Sequence, residues 1–192
     1  MIALVKYNAG NLSSVRNALS RLGCECLISD DASILQRADK VIFPGVGEAS
    51  SAMRSLRNAG LDRTIPSLIQ PTLGICLGLQ LMCQRSEEGN TDGLGLFDTE
   101  VKRFPSRDIV PHMGWNNLSH MEGSLFQDIQ IQDDVYFVHS YYAEPCDQTV
   151  ALGEYIVPFS ASLQKDNFYA TQFHPEKSGP VGEQILKNFL EL

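Results

Sequence analysis

The chain has 192 residues, 43% of them hydrophobic, with 15 basic against 23 acidic side chains and a net charge of -8. A chain of this length buries about 70% of its unfolded surface, so one domain spanning residues 1–192 is expected. The acidic balance, with no cluster of Lys and Arg interleaved with aromatics, argues against a nucleic-acid partner.

Residues 1–7 are apolar but too short for a signal peptide, and no later run approaches a membrane span. A soluble cytoplasmic protein with no membrane partner is expected. Cys24, Cys26, Cys76, Cys83 and Cys146 form an odd set without a CxxC pair, which suggests neither a disulfide framework nor a zinc site. No metal and no cofactor is expected.

Residues 2–6 are a continuous apolar run of the kind shown by a strand buried on both faces. Residues 11–22 carry Leu12, Val15, Leu19 and Leu22 at helical spacing, and Gly23 ends that helix. Residues 24–28 read as a second strand, 31–37 as a short helix and 41–43 as a third strand. This alternation predicts a three-layer α/β fold, an open and mostly parallel sheet with helices on both faces, whose ligands sit at the carboxyl ends of the strands. The third strand runs into Pro44-Gly45-Val46-Gly47, and residues 48–58 read as a helix stopped by Gly60. Glycines around Val46 leave N–H groups free to turn toward a ligand, so this loop is either a Gly-rich connection or an oxyanion hole. One such donor is worth ~3 kcal/mol in a transition state.

The stretch Thr72-Leu73-Gly74-Ile75-Cys76-Leu77-Gly78-Leu79-Gln80 reads as a strand, a tight turn and a helix. Glycines two residues either side of Cys76 relieve the crowding of a strained apex residue, whose side chain is then pushed toward substrate. The helix N-terminus there favours a thiolate, although a free cysteine is also a common core residue. Cys83 reads as a core residue of the same helix. Gln172-Phe173-His174-Pro175-Glu176 supplies a base and an acid two residues apart. On an extended segment both would point to one side, with Glu176 holding the ring of His174. Cys76, His174 and Glu176 together make an acyl-transfer site the leading expectation.

From Leu96 onward short strand-like runs dominate, at residues 99–104, 113–118, 135–142, 150–155, 159–163 and 167–172. A second half rich in β-ribbons should pack against or extend the first-half sheet. Residues 180–192 close the chain as an amphipathic helix with Val181, Ile185, Phe189 and Leu190 as its stripe. His112, His120 and His139 are read as hydrogen-bonded framework, and Trp115 as either a half-buried core aromatic or an interface residue.

The motifs Gly74-Ile75-Cys76-Leu77-Gly78-Leu79-Gln80, Pro44-Gly45-Val46-Gly47 and Gln172-Phe173-His174-Pro175-Glu176-Lys177 resemble those of class I, triad-type glutamine amidotransferases. Residues 7–12, Pro111-His112-Met113-Gly114-Trp115-Asn116, residues 136–142 and Lys177 are similar to the glutaminase subunits of imidazole glycerol phosphate synthases; Asn8 stands where those often have Gly.

The resemblance implies that Cys76 attacks the amide of glutamine, His174 shuttles protons and Glu176 orients His174. It implies oxyanion donors from Gly45, Val46, Gly47 and the amide of Leu77, and binding of glutamine's amino-acid end by Gln80 and the backbone of Ser140 and Tyr141. It further implies a heterodimer with a (β/α)8-barrel cyclase subunit that takes the ammonia in histidine biosynthesis. Asn11, Trp115 and Lys177 are the expected partner-facing residues. A glutaminase serving another acceptor, such as surface-sugar amidation, and a cysteine hydrolase on a similar fold are the alternatives.

Overall fold

A computed structural model describes residues 1–8 and 10–192; Ala9, within the 7–12 motif, lies outside the described residues. In chain order, β1 (Ile2–Val5), α1 (Leu12–Arg21), β2 (Cys26–Ser29), α2 (Ala32–Arg37), β3 (Lys40–Gly45), α3 (Ala49–Asn58), α4 (Leu61–Thr64), β4 (Thr72–Cys76) and α5 (Leu77–Met82) make up the first part. There follow β5 (Cys83–Ser86), β6 (Thr91–Asp92), β7 (Phe97–Arg103), β8 (His112–Asn116), β9 (His120–Met121), β10 (Val135–His139) and β11 (Tyr141–Ala143). The chain ends with β12 (Thr149–Tyr155), β13 (Val157–Lys165), β14 (Phe168–Thr171) and α6 (Gly179–Glu191).

Among the described residues the main sheet has eight strands in the order β2-β1-β3-β4-β14-β13-β12-β9. Pairing is parallel from β2 to β14 and antiparallel from β14 to β9. The ribbon half therefore does both things the sequence suggested. β12 to β14 extend the sheet, while β11-β7-β5-β6 and the β8–β10 pair form separate sheets.

Apolar side chains leave β1 toward both faces. Ala3 and Val5 enter one core with Leu35, Met53 and Leu56 from α2 and α3, whereas Ile2 and Leu4 enter the other with Val15 and Leu19 of α1 and Ile185 and Phe189 of α6. That two-sided burial is why β1 lacks polar alternation. Local caps set the helix starts: Asp31 accepts from the amides of Ser33 and Ile34, and Glu48 from those of Ser50 and Ser51.

Several details of the elements differ from the sequence reading. α5 ends at Met82, and Cys83 opens β5, because residues 83–86 pair with β7 instead of continuing a helix. Residues 135–142 split into β10 and β11, α4 forms where the sequence pattern predicts no element, and the buried stripe of α6 is centred on Gly182, Ile185, Leu186 and Phe189. No helix among the described residues is long and apolar enough to cross a membrane.

Candidate active site

β3 and β4 lie side by side in parallel, with Gly45 opposite Cys76. Cys76 ends β4 with φ 55° and ψ -104°, a left-handed conformation that a non-glycine residue holds only when its surroundings enforce it. The two flanking glycines provide that enforcement. A Cβ on Gly78 would run into the carbonyl oxygen of Phe43 on β3, and one on Gly74 would lie 2.8 Å from Met82 Sδ and 3.0 Å from the Gly78 carbonyl carbon. α5 thus folds directly back onto the sheet, with the sulfur at its start.

The other neighbour of β4 is β14, whose continuation brings Gln172 and His174 beside Cys76. Gln172 Nε2 lies 3.6 Å from Cys76 Sγ, and Gln172 Oε1 accepts from Gln80 Nε2 at 3.1 Å. His174 Nδ1 is 2.7 Å from Glu176 Oε1, with both side chains fully buried. The geometry differs from the extended segment expected: after His174 the chain turns through a 3-10 helix, Pro175–Lys177, and that turn brings the carboxylate back to the ring. Because the carboxylate accepts, Nδ1 carries the proton, and Nε2 is buried with no hydrogen-bond partner among the described residues. Burial alone would push His174 down, but the negative charges of the Cys76 sulfur and Glu176 outweigh it and raise the imidazole to about 10. Asn11, at φ 79°, donates its side-chain amide to the same Glu176 oxygen, so it braces the acid from the start of α1.

A cavity of about 330 Å³ opens in front of the sulfur. Of the residues singled out from the sequence, Val46, Gly47, Cys76, Leu77, Gln80, Ser140 and Tyr141 line it. Gly45 does not; it is buried within β3, where a Cβ would strike the hydroxyl of Tyr7. That hydroxyl has no hydrogen-bond partner among the described residues, and burial, then the charge of Cys76, raises its pKa. Gln172, Glu88 and Tyr7 were missed in the sequence, since only the tertiary fold brings them to the site. Glu88 is the one carboxylate among the described lining residues; it accepts from the Ala49 amide at 2.8 Å, and burial raises its pKa.

His112 and His139 take the framework positions expected of them, whereas His120 does not. His112 and His139 are buried 3.0 Å apart, and burial lowers them to about 4 and about 3. His120 is exposed and lies 3.1 Å from Glu122. This second His-x-Glu spacing far from the cysteine shows that spacing alone does not make a triad. Trp115 is 57% exposed rather than half-buried in a core, and packs edge-on at 5.8 Å against Tyr136, whose ring carries Lys177 Nζ at 6.0 Å. Among the described residues no three His, Cys, Asp or Glu are grouped to hold a metal ion.

The family model for glutamine amidotransferase class-I matches residues 3–192. The chain is 60% identical to the imidazole glycerol phosphate synthase subunit HisH of Bacteroides fragilis (strain YCH46), covering 100% of this chain and 99% of that protein. It is 47% identical to HisH of Pasteurella multocida (strain Pm70), covering 99% and 97%. Among solved structures, a glutamine amidotransferase aligns with a TM-score of 0.77 at 18% identity, over 99% of this chain and 97% of that one. PurLQS from Thermotoga maritima aligns with a TM-score of 0.74 at 17% identity, over 99% and 97%; both likenesses concern the fold. With the whole chain matched and the cysteine turn in place on that fold, the chain belongs to the class-I glutamine amidotransferase family.

Proposed function

We propose that this chain is the glutaminase subunit of an imidazole glycerol phosphate synthase, acting in the cytoplasm in histidine biosynthesis. The supporting observation is Cys76 at the mouth of a glutamine-sized cavity, backed by the buried His174–Glu176 pair, in a chain 60% identical to a HisH protein along its whole length.

Cys76 Sγ attacks the carboxamide carbon of glutamine, forming a C–S bond while the carbonyl oxygen takes the negative charge. The Leu77 amide and the Val46-Gly47 end of the loop, which line the cavity together with Cys76, are the donors for that charge, with Gly45 holding the loop from within β3. His174, as imidazolium held by Glu176, gives its Nε2 proton to the amide nitrogen, the C–N bond breaks and ammonia leaves. Water then attacks the thioester carbon, His174 takes its proton, the C–S bond breaks and glutamate departs. At the far end, the carboxylate of Glu88 suits the substrate ammonium, and Gln80 with the Ser140–Tyr141 backbone suits its polar groups. Ammonia passes to a (β/α)8-barrel cyclase subunit docked over the exposed β8–β10 face, where Met113, Trp115 and Lys177 stand, with Asn11 beneath it on Glu176.

An electrophilic glutamine analogue tests this reading. Cys76 is expected to carry nearly all of the label by peptide mapping, since Cys83 is buried with its thiol pKa pushed up by burial and Cys24, Cys26 and Cys146 lack a paired imidazole. A majority adduct on any of those four would overturn the assignment.

The raised pKa of His174 also sets a pH profile. The imidazolium persists through neutral pH and is lost only as pH rises through about 10, so kcat/KM for glutamine should fall on an alkaline limb near there. A limb near the ordinary imidazole pKa of about 6.5 would show that the sulfur and carboxylate charges do not act on this ring.

A further inference from the structure

The His112–His139 pair has a direction built into it. His139 Nδ1 lies 2.8 Å from the carbonyl oxygen of Tyr141, which can only accept, so Nδ1 carries the proton. In a neutral ring Nε2 is then an acceptor, and it faces His112 Nδ1 at 3.0 Å, which must therefore be the donor. His112 Nε2 is left as an acceptor for the side-chain amide of Asn116 at 3.4 Å, and that amide also donates to the carbonyl of Glu154 at 3.1 Å. Every proton in the run points one way, from β8 toward the cavity. Both rings are thereby held as the Nδ1–H tautomer, the minority form of a free imidazole.

Aromatic packing fixes the rings. His112 is stacked between Phe137 at 4.8 Å and Tyr155 at 4.2 Å, and His139 sits 5.1 Å from both Phe104 and Phe159. Burial holds both rings neutral. The recipient of the last proton lies in the active-site wall: the Tyr141 carbonyl also accepts from Gln80 Nε2 at 3.0 Å. Gln80, a lining residue of the cavity, donates in addition to Gln172 Oε1 at 3.1 Å, so both its amide hydrogens are engaged and its Oε1 is left as an acceptor without a partner among the described residues.

We propose that His112 and His139 are positioning residues for glutamine binding, a tautomer-locked pair that fixes the Tyr141 carbonyl and, through it, the orientation of the Gln80 amide. The proposal rests on the glutaminase reading above. Neither ring takes part in the covalent steps. The pair acts on how glutamine is held, so its loss weakens binding more than it slows chemistry.

His112→Phe tests this, because phenylalanine keeps the stack on Phe137 and Tyr155 while removing both nitrogens. In the complex with the cyclase subunit, glutamine KM is expected to rise about tenfold with kcat within about twofold of the parent, and synthesis from added ammonium salt to stay unchanged. His112→Asn, whose amide can donate where Nδ1 stood, should restore KM despite its poorer packing, which a purely structural role would not allow. An unchanged KM in folded His112→Phe, or failure of the Asn variant to rescue, overturns the proposal. ¹⁵N-histidine NMR of the unmodified chain gives a readout independent of catalysis and of the variants' folding: His112 and His139 should both appear as neutral Nδ1–H rings at neutral pH. An Nε2–H or doubly protonated signature on either ring would sink the proposal while leaving the glutaminase reading intact. Absence of glutamine turnover in the parent complex would remove that reading and leave the tautomer assignment to stand or fall by the spectrum.

Discussion

Cys76→Ala is expected to abolish glutamine-dependent synthesis, by ~10⁴-fold or more, while the complex with the cyclase subunit still runs on added ammonium salt. Without the sulfur there is no thioester, and the His174–Glu176 pair has no leaving group to protonate. The side chain is small and sits at a strained φ of 55°, so removing the sulfur leaves the turn in place. His174→Ala should behave alike, because a buried, unpartnered Nε2 is the only imidazole nitrogen free to serve the leaving group. The decisive comparison is the two rates side by side. Equal loss of glutamine-driven and ammonia-driven synthesis in either variant would mean that this chain does more than supply ammonia.

Gly78→Ala is expected to be nearly as damaging by a different route. The added Cβ meets a backbone carbonyl, that of Phe43, which cannot swing aside as the tip of a flexible side chain would. Either α5 lifts off β3 or the strands separate, at a cost of roughly 1–3 kcal/mol for an overpacked core. A displacement of about 1 Å at the nucleophile is enough for a ~10²-fold loss of rate, so glutamine turnover should fall further than stability alone explains. Gly23→Ala is the control, since Gly23 has φ +74° with open space where a Cβ would stand, and should lose only the roughly 1–2 kcal/mol of a left-handed L-residue with activity kept. Thermal melts and glutamine kinetics on both variants check this. A Gly78→Ala protein with parental melting and turnover would show that the turn tolerates what the geometry forbids.

The frame of the site was legible in the sequence because it rests on local rules. Gly74 and Gly78 around Cys76 announce a sharp strand-to-helix reversal, and alternating apolar runs announce the parallel sheet beneath it. His174 and Glu176 were readable as a pair, although the spacing that suggested them recurs at His120 and Glu122, where it makes only a surface ion pair. What separates the two is the neighbour of β14, which pairing fixes and sequence distance hides. Gln172, Glu88, Tyr7 and the His112–His139 run escaped for the same reason. The misread Cys83 is instructive: residues 77–83 are apolar apart from Gln80, so the pattern favours a longer helix, and only cross-strand pairing with β7 ends it at Met82.

The placement of β14 has a consequence for how the molecule comes into being. It is the last strand in the sequence, yet it lies in the interior of the sheet, wedged between β4 and β13. At about 5–20 residues per second, a ribosome needs several seconds to travel from Cys76 to His174. Throughout that interval β4 has one unpaired edge and the thiol has no base. The nascent chain is thus safe against premature glutamine consumption but open to mispairing, and the same insertion event both seals the sheet and arms the nucleophile. Refolding experiments that follow strand pairing and thiol reactivity together should find one shared, slow phase, as expected for a contact between segments so distant in the chain.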